Sequence, residues 1–383
     1  ITIMMTDEKV GPLQRTIINP FKPTAGAEPP VLIGRERVTD DFRDGIEEGV
    51  GAPGRLMRIT GPRGSGKTAL LTELGDVARS YGWRVVDVTA TSNIVQDIQH
   101  ELTRTIDDIA VHLEANLGLV KAGVSKNADA TETLRDTLTR IATRETERDA
   151  GLLVTVDEIQ DVNPDDVRVL ATAVQHLIRE RKNIAFVFAG LTTGVLDLIN
   201  GKALTFLQRA KAEELAAIPL DEVSDSLSST VARAGLELDG EALELATEAT
   251  KGYAYLIQLV GYRVFANARR HASEDVAISV ADARRGIKRA YDEFESSVLD
   301  VALAPLPRRA IEYLIAMASC EGNASTKQIA DRLKLPATSL TSTRRELIKA
   351  QVIDAPSRGV VRFSIPLLRE YLLKSSSEIL SRY

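Results

Sequence analysis

Eight residues constrain this chain more than any others: Gly61-Pro62-Arg63-Gly64-Ser65-Gly66-Lys67-Thr68. They fit the pattern G-x-x-x-x-G-K-[ST]. Before them, Arg55–Thr60 predicts a strand; after them, Lys67–Arg79 predicts a helix with Leu70, Leu71, Leu74 and Val77 on one face. In that setting the glycines let successive backbone N–H groups turn inward around phosphate oxygens, and the helix N-terminus adds partial positive charge. Lys67 is suited to reach the β and γ phosphates, and the Thr68 hydroxyl to ligate Mg²⁺. A glycine-rich strand-to-helix turn that binds nothing is the plain alternative; the Lys-Thr pair and the flanking elements argue against it.

A second segment completes the chemistry. Leu152-Leu153-Val154-Thr155-Val156 is almost continuously apolar, as in a strand buried on both faces of a parallel sheet, and it ends in Asp157-Glu158. Both carboxylates then emerge at the carboxyl edge of the sheet, where the glycine-rich loop also lies. Asp157 is suited to the Mg²⁺ shell, and Glu158 to orient and deprotonate an attacking water. Further strands are expected over Trp83–Val88, Ile184–Phe188 and Glu214–Leu220, separated by helices over Asn93–Leu117, Thr131–Arg148 and from Asn163-Pro164 onward. This alternation predicts a parallel α/β sheet. Beyond Leu220 the strand signal stops, and four helices are expected: Asp221–Ala234, Asp239–Thr250, Tyr253–His271 and Val280–Ser297.

At 383 residues the chain is long enough for two or three domains, and 44% hydrophobic with 27% charged residues excludes wholesale disorder. The expected division is an extended, proline-rich segment over 1–30, an α/β core over 31–220, a helical region over 221–304 and a terminal module over 305–383. The lone Cys320 excludes a disulfide framework and a zinc finger, and His100, His112, His176 and His271 have no ligand spacing. No apolar run approaches a bilayer span, and Ile1–Pro12 lacks the form of a secretory signal, so a cytoplasmic protein without a membrane partner is expected. The net charge of −6 hides an asymmetry: residues 305–383 carry thirteen Lys/Arg against seven Asp/Glu, a net of +6, which leaves −12 on the remainder. A basic module on an acidic body points to a polyanion.

That module reads as helices over Leu306–Ser319, Lys327–Leu335 and Ser339–Ala350, a hairpin through Val352–Asp354 and Val360–Ser364, and a last helix over Leu367–Lys374. Three helices and a hairpin resemble a winged-helix domain, in which the helix after the turn enters the major groove. On it Ser339, Thr341, Ser342, Arg344, Arg345 and Lys349 offer short polar groups and cations; Arg358 and Arg362 of the hairpin can meet phosphates or the minor groove. Winged helices also mediate protein contacts, so double-stranded DNA and an unidentified protein are both open, with the positive charge favouring DNA.

With the two motifs together, the chain resembles the AAA+ ATPases, and most of all the branch of origin-recognition and cell-division-control initiators, over about Asn19 to Lys374. The resemblance implies a P-loop NTPase core, an all-α lid subdomain and a C-terminal winged-helix domain, with ATP/ADP and Mg²⁺ as cofactors. Val31-Leu32-Ile33-Gly34-Arg35-Glu36 resembles that branch's box ahead of the phosphate loop, which implies Ile33, Gly34 and Arg35 at the adenine pocket. Thr192 stands where the branch has its sensor 1 polar residue, and a plain helix cap is the other reading. Arg209 stands where an arginine reaches a neighbouring subunit's nucleotide, against which stands an ordinary surface arginine. No arginine accompanies Lys251-Gly252-Tyr253-Ala254-Tyr255, where the branch has sensor 2; the Gly-Tyr-x-Tyr form instead looks like signalling ATPases of the STAND type. There Tyr255 can cover the adenine or simply fill the core. The resemblance implies an ATPase that couples nucleotide state to DNA engagement and assembles as a homo-oligomer on ATP or DNA. The alternatives are a slow nucleotide-dependent signalling switch and a mobile-element helper ATPase whose winged helix binds protein.

Overall fold

A computed structural model describes residues 17–24, 32–103, 132–201, 205–270 and 277–383. The N-terminal part is built on a five-stranded parallel sheet of β1 (Leu56–Thr60), β2 (Arg84–Thr89), β3 (Leu152–Asp157), β4 (Ile184–Gly190) and β5 (Lys211–Glu214), in the order β2-β3-β4-β1-β5. The strands alternate with helices: α1 (Glu36–Glu48) precedes β1, α2 (Lys67–Ser80) follows it, and α3 (94–103), α4 (Leu134–Thr146), α5 (Pro164–Arg179) and α6 (Thr192–Asn200) fall between the later strands. Period-two alternation sorts the apolar side chains into two cores. Leu152, Val154, Val156, Ile184, Phe186 and Phe188 pack on one face, while Leu153, Ala185, Val187 and Ala189 pack on the other against Leu70, Leu74 and Phe42. The register pairs Ile59 with Ala189 and Val156 with Phe188, so the chain leaves β1 and β3 at the same edge, on either side of β4.

The strand expected over Glu214–Leu220 is corrected. β5 is Lys211–Glu214, an edge strand whose polar residues face solvent or ion pairs, Lys211 with Asp41 at 2.6 Å among them. The apolar run Leu215–Ile218 read as a buried strand, but its Leu215 and Ile218 are buried in the passage toward α7 (Leu220–Arg233), which begins after Pro219. Of the helix expected over Asn93–Leu117, residues 94–103 are helical and Asn93 lies in the turn before them; residues 104–117, the loop expected over Lys121–Ala130, Val31, His112 and His271 lie outside the described residues.

After α7 come α8 (Gly240–Thr250), α9 (Ala254–Ala268) and α10 (Val280–Phe294), with the two-residue strands β6 (Glu237–Leu238) and β7 (Ala277–Ile278) pairing between them, which the sequence pattern did not disclose. Caps account for the boundaries: the Asp239 side chain accepts from the Glu241 and Ala242 N–H groups, and Ser279 forms a capping box with Asp282. α10 runs on through a π turn at Glu295–Leu299 into α11 (Asp300–Leu303). Then come α12 (Arg308–Ala318), β8 (Ala324–Ser325), α13 (Thr326–Leu333), α14 (Thr341–Lys349), the hairpin β9 (Ile353–Ser357) and β10 (Val360–Phe363), and α15 (Leu368–Ser381), which ends seven residues later than expected. β8, β10 and β9 form a three-stranded antiparallel sheet. One unbroken apolar core runs from Val223 and Leu256 through Leu299 and Leu303 to Leu314, Leu347 and Leu372. The helical layer and the terminal module are therefore packed as one body, and Tyr371 Oη to Asp300 at 2.5 Å and Lys374 to Glu295 at 3.1 Å tie α15 across the joint.

Candidate nucleotide site

The loop Gly61–Gly66 leaves β1 and wraps over the N-terminus of α2. Gly64 and Gly66 have φ of +72° and +91°, a backbone region costly for any residue with a Cβ. A Cβ on Gly64 would also stand 2.4 Å from Tyr253 Oη. Lys67 is 5% exposed and its ammonium donates to the carbonyls of Gly61 (3.1 Å) and Pro62 (3.0 Å). Burial pulls its pKa below the usual lysine value, opposed by the nearby Glu158 and Asp157 carboxylates and aided by Arg63. Ser65 Oγ is buried in the same loop without a hydrogen-bond partner among the described residues. A buried cation resting on carbonyls and an orphaned hydroxyl are what a phosphate would engage.

The carboxylates of β3 meet this loop from across β4. Thr68 Oγ1 donates to Asp157 Oδ2 at 2.5 Å, although the residues are 89 positions apart. Asp157 Oδ1 accepts the Glu158 N–H at 2.8 Å. Glu158 has φ of +52°, which turns the chain sharply out of the strand, and its side chain lines the cleft. The fit to Mg²⁺ is chemical: one carboxylate and one hydroxyl in contact would supply the hard oxygen donors that such an ion favours. Asp157 and Thr68 are the residues that would hold it, and it would neutralise charge developing on the phosphates.

A cavity of about 460 Å³ opens from the loop toward the helical layer. Arg63, Gly64, Ser65, Gly66, Lys67, Thr68 and Glu158 line its phosphate end; Ile33, Leu32, Ile218, Ala254, Ile257 and Tyr255 make the far end apolar. Arg35 also lines it, and its guanidinium braces the wall by donating to the carbonyls of Ala216 (3.1 Å), Ser65 and Gly34 (both 3.4 Å). Burial lowers the Arg35 pKa, with Glu222 and Glu36 opposing. Gly34 lies beside it with φ of +64°. Segment 17–24 roofs the far end: Asn19 donates to the Tyr262 carbonyl at 2.9 Å, Phe21 packs edge-on against Phe265, and the Lys22 N–H donates to Gln258 at 3.1 Å.

Two residues that the sequence pattern did not single out belong to this site. Tyr253, present in the sequence reading only as part of the Gly-Tyr-x-Tyr form and given no role there, packs its ring edge-on to Phe294, and its hydroxyl donates to the Arg63 carbonyl. Together with the Tyr255 N–H to Gly64 carbonyl bond (3.3 Å), it joins the start of α9 to the phosphate loop. Gln160 donates to Glu158 Oε2 at 2.7 Å and accepts from the Leu191 N–H at 3.0 Å. The polar run after β3 was its only signal, and that run reads equally well as a solvated strand end.

Two expected residues lie elsewhere. Thr192 opens α6 and lines a separate cleft, bounded by Pro62, Glu214 and, from the terminal module, Gln351, Arg362 and Phe363. Arg209 is exposed in the turn before β5, away from the cavity wall.

Similarity to known proteins agrees with this geometry. Residues 31–187 match the model of the AAA ATPase domain. The chain's activity class is that of an ATP hydrolase. Residues 296–372 match a domain of unknown function, DUF8462. None of the curated proteins matches the chain. Among solved structures, the fold is similar to that of the Walker-type ATPase PABY2304 of Pyrococcus abyssi, with TM-score 0.65 and 16% identity over 89% of this chain and 96% of that one. It is also similar to the ORC2 protein of Aeropyrum pernix in its ADPNP–ADP complexes, with TM-score 0.62 and 15% identity over 94% and 97%. Cdc6p of Pyrobaculum aerophilum gives TM-score 0.50 and 16% identity over 94% and 97%. The architecture is thus a P-loop AAA+ α/β fold continued by a helical C-terminal region. Among the described residues no helix is long and apolar enough to cross a membrane.

The polar set expected on the terminal module divides. Thr341, Arg345 and Lys349 recur at helical spacing on an exposed face of α14, with Ser342 exposed beside them and Arg358 exposed at the hairpin tip. Lys327 at the start of α13 adds a cation that the helix pattern alone did not single out. Lys327, Arg345, Lys349 and Arg358 have no side-chain hydrogen bond or ion pair among the described residues. By contrast Arg362 is committed to Asp354 at 2.8 and 3.1 Å. Arg344 is half-buried, its Nε is buried without a partner among the described residues, and its charge acts on buried Tyr313. Ser339 is half-buried with its hydroxyl on the Pro336 carbonyl.

Proposed function

We propose that this protein is a Mg²⁺-dependent ATPase of the ORC/Cdc6-like kind that couples ATP binding and hydrolysis to engagement of double-stranded DNA. The observation that carries the reading is the contact of Thr68 with Asp157 beside Lys67, with Glu158 facing the same cleft. It joins phosphate binding and water activation in one place. In this reading Glu158 takes the proton of a water that attacks the γ-phosphorus, and Lys67 holds the phosphates. Ile33, Gly34, Arg35 and Tyr255 border the base.

Residues 221–304 act as a lid and 305–383 as a winged helix. Their common core supports motion as one unit, so closure on nucleotide would reorient α14. The exposed cations of α14, the hairpin tip and Lys327 fit a phosphate backbone. The names of the solved neighbours ORC2 and Cdc6p support the same direction. An exposed Arg209 fits a role in trans between copies assembled on ATP or DNA.

A second reading, a slow nucleotide-dependent switch whose terminal module binds protein, is favoured by one feature. The start of α9 meets the phosphate loop through Tyr253 and a backbone N–H, and Lys251 beside it does not line the nucleotide cavity.

The deciding experiment is ATP turnover of the native protein and of Glu158→Gln, each with and without duplex DNA. The proposal expects turnover stimulated by DNA in the native protein. In the variant it expects turnover reduced on the order of 10²- to 10⁴-fold with nucleotide binding intact. Unchanged hydrolysis in Glu158→Gln defeats the role of Glu158; native turnover indifferent to DNA, with no DNA affinity at low salt, favours the switch.

A further inference from the structure

The polar group that holds Glu158 is itself held on two more sides. Gln160 lies in the turn after β3, and its amide nitrogen donates to Glu158 Oε2 at 2.7 Å. Its amide oxygen accepts the Leu191 N–H at 3.0 Å, at the junction of β4 and α6. Two glycines leave the slot it occupies: a Cβ on Gly190 would stand 2.6 Å from the Gln160 amide oxygen, and one on Gly194 would stand 2.5 Å from Gln160 Cβ. Any larger residue at either place would displace the glutamine. The amide can therefore face in only one sense, nitrogen toward the carboxylate and oxygen toward the backbone N–H, because the reverse would set two acceptors and two donors against each other.

We infer that Gln160 is a positioning residue for the hydrolytic step, fixing one oxygen of Glu158 against the β4–α6 junction so that the other is presented to the attacking water. The inference rests on the reading of Glu158 as the general base. In the step it serves, the water oxygen bonds to the γ-phosphorus and the bond from that phosphorus to the β–γ bridging oxygen breaks. ADP departs with the electron pair, and the water proton passes to the Glu158 carboxylate. A carboxylate free to rotate spends most of its time misaligned for that transfer. Misplacement of a reacting group by about 1 Å can cost on the order of 100-fold in rate. Gln160 touches neither nucleotide nor water in this role, so it should act on kcat and leave nucleotide affinity alone.

Two variants separate positioning from mere support of the fold. Gln160→Leu removes both hydrogen bonds. Gln160→Glu keeps an oxygen for the Leu191 N–H and replaces the donor facing Glu158 with an acceptor. Four quantities are read on the full chain: kcat, KM, equilibrium affinity for ADP, and hydrogen exchange at the Leu191 amide. Both variants should lose about 10- to 100-fold in kcat while ADP affinity stays within about twofold. Leu191 exchange should quicken in Gln160→Leu and stay near native in Gln160→Glu. Native kcat in both variants overturns the inference, as does a loss of kcat confined to Gln160→Leu, or one matched by an equal loss of ADP affinity. Glu158→Gln run in parallel distinguishes the failures: if it hydrolyses ATP like the native protein, the reading of Glu158 falls, whereas if it is inactive while Gln160→Leu is not, only the role of Gln160 falls.

Discussion

The nucleotide cleft and the exposed face of the terminal module both gather polar and charged groups, but hold them in opposite ways. In the cleft Lys67 sits on two carbonyls, Arg35 on three, Asp157 on Thr68 and a backbone N–H, and Glu158 on Gln160. Most of these groups are buried, and their positions are settled before any ligand arrives. On the module, Lys327, Arg345, Lys349 and Arg358 reach into solvent without a partner among the described residues. The first arrangement suits chemistry, which tolerates little displacement. The second suits contact with a regular polyanion, where each cation contributes a similar, salt-sensitive increment. Substitutions should therefore act abruptly in the cleft and gradually on the module.

The largest effect is expected from Lys67→Ala, which removes the one ammonium buried in the phosphate loop and leaves its carbonyls facing the phosphates. Loss of a buried charged partner costs roughly 2–5 kcal/mol, so affinity for ADP or ATP should fall by about 30- to 5,000-fold. Titration with a fluorescent nucleotide reads this directly. A loss of only a few-fold would mean that Lys67 is not held ready for phosphate, and the contrast between the two regions would weaken.

Much of the cleft was legible in the sequence because its chemistry needs particular residue types at fixed places on a strand–loop–helix unit. Lys67 and Thr68 follow from that unit, Asp157 and Glu158 from the second apolar strand that ends in two carboxylates, and Ile33, Gly34 and Arg35 were pointed to only by the resemblance. The illegible part depended on contacts between elements distant in sequence. Gln160 gains its place from Leu191 and from two glycines of the next strand and helix. Tyr253 looks like any core aromatic until the helical layer is set against the phosphate loop. The last strand was misplaced because the apolar Leu215–Ile218 reads as a buried strand, while the true strand, Lys211–Glu214, is charged and lies at a sheet edge. On the module, helix periodicity located α14 but could not tell an outward arginine from an inward one. Arg345 and Arg344 are neighbours with opposite environments.

The module supplies the next effect. Replacing Arg345, Lys349 and Arg358 together by Ala should weaken duplex binding at low salt by about 10- to 100-fold and flatten the slope of log K against log salt by about 2.7, roughly 0.9 for each lost phosphate contact. Arg362→Ala is the internal control: its charge is already spent on Asp354, so the slope should change by well under one contact. Equal slopes for the triple variant and the native protein would break the comparison from the other side.

Tyr253→Phe should act more weakly. The ring keeps its packing on Phe294, and only the hydroxyl bond to the Arg63 carbonyl is lost. A buried hydrogen bond of this kind contributes about 1 kcal/mol net, and its loss should show as a modest fall in the thermal midpoint of the nucleotide-free protein. Because the hydroxyl ties the helical layer to the phosphate loop, the variant should also lose part of the DNA stimulation of turnover. An unchanged midpoint together with unchanged stimulation would mean that this tie carries nothing between the two regions.

The smallest effect tests whether the regions communicate where they touch. Gln351, just past the end of α14, approaches Thr193 Oγ1 at 3.5 Å, the outer limit of a hydrogen bond, and Thr193 stands two residues after Leu191. The junction that restrains Gln160 on one side is thus in contact with the module on the other. Spatial continuity does not by itself make a coupling, and a bond this long carries little energy. A double-mutant cycle with Thr193→Val and Gln351→Ala, read on DNA-stimulated kcat, should give a coupling of about 0.5 kcal/mol, roughly a twofold effect beyond the product of the single variants. Strict multiplicativity would put the communication elsewhere. The body formed by the helical layer and the module would then have to act through its hold on the phosphate loop at Tyr253 and Tyr255, and the cleft and the module would share a hinge rather than a wire.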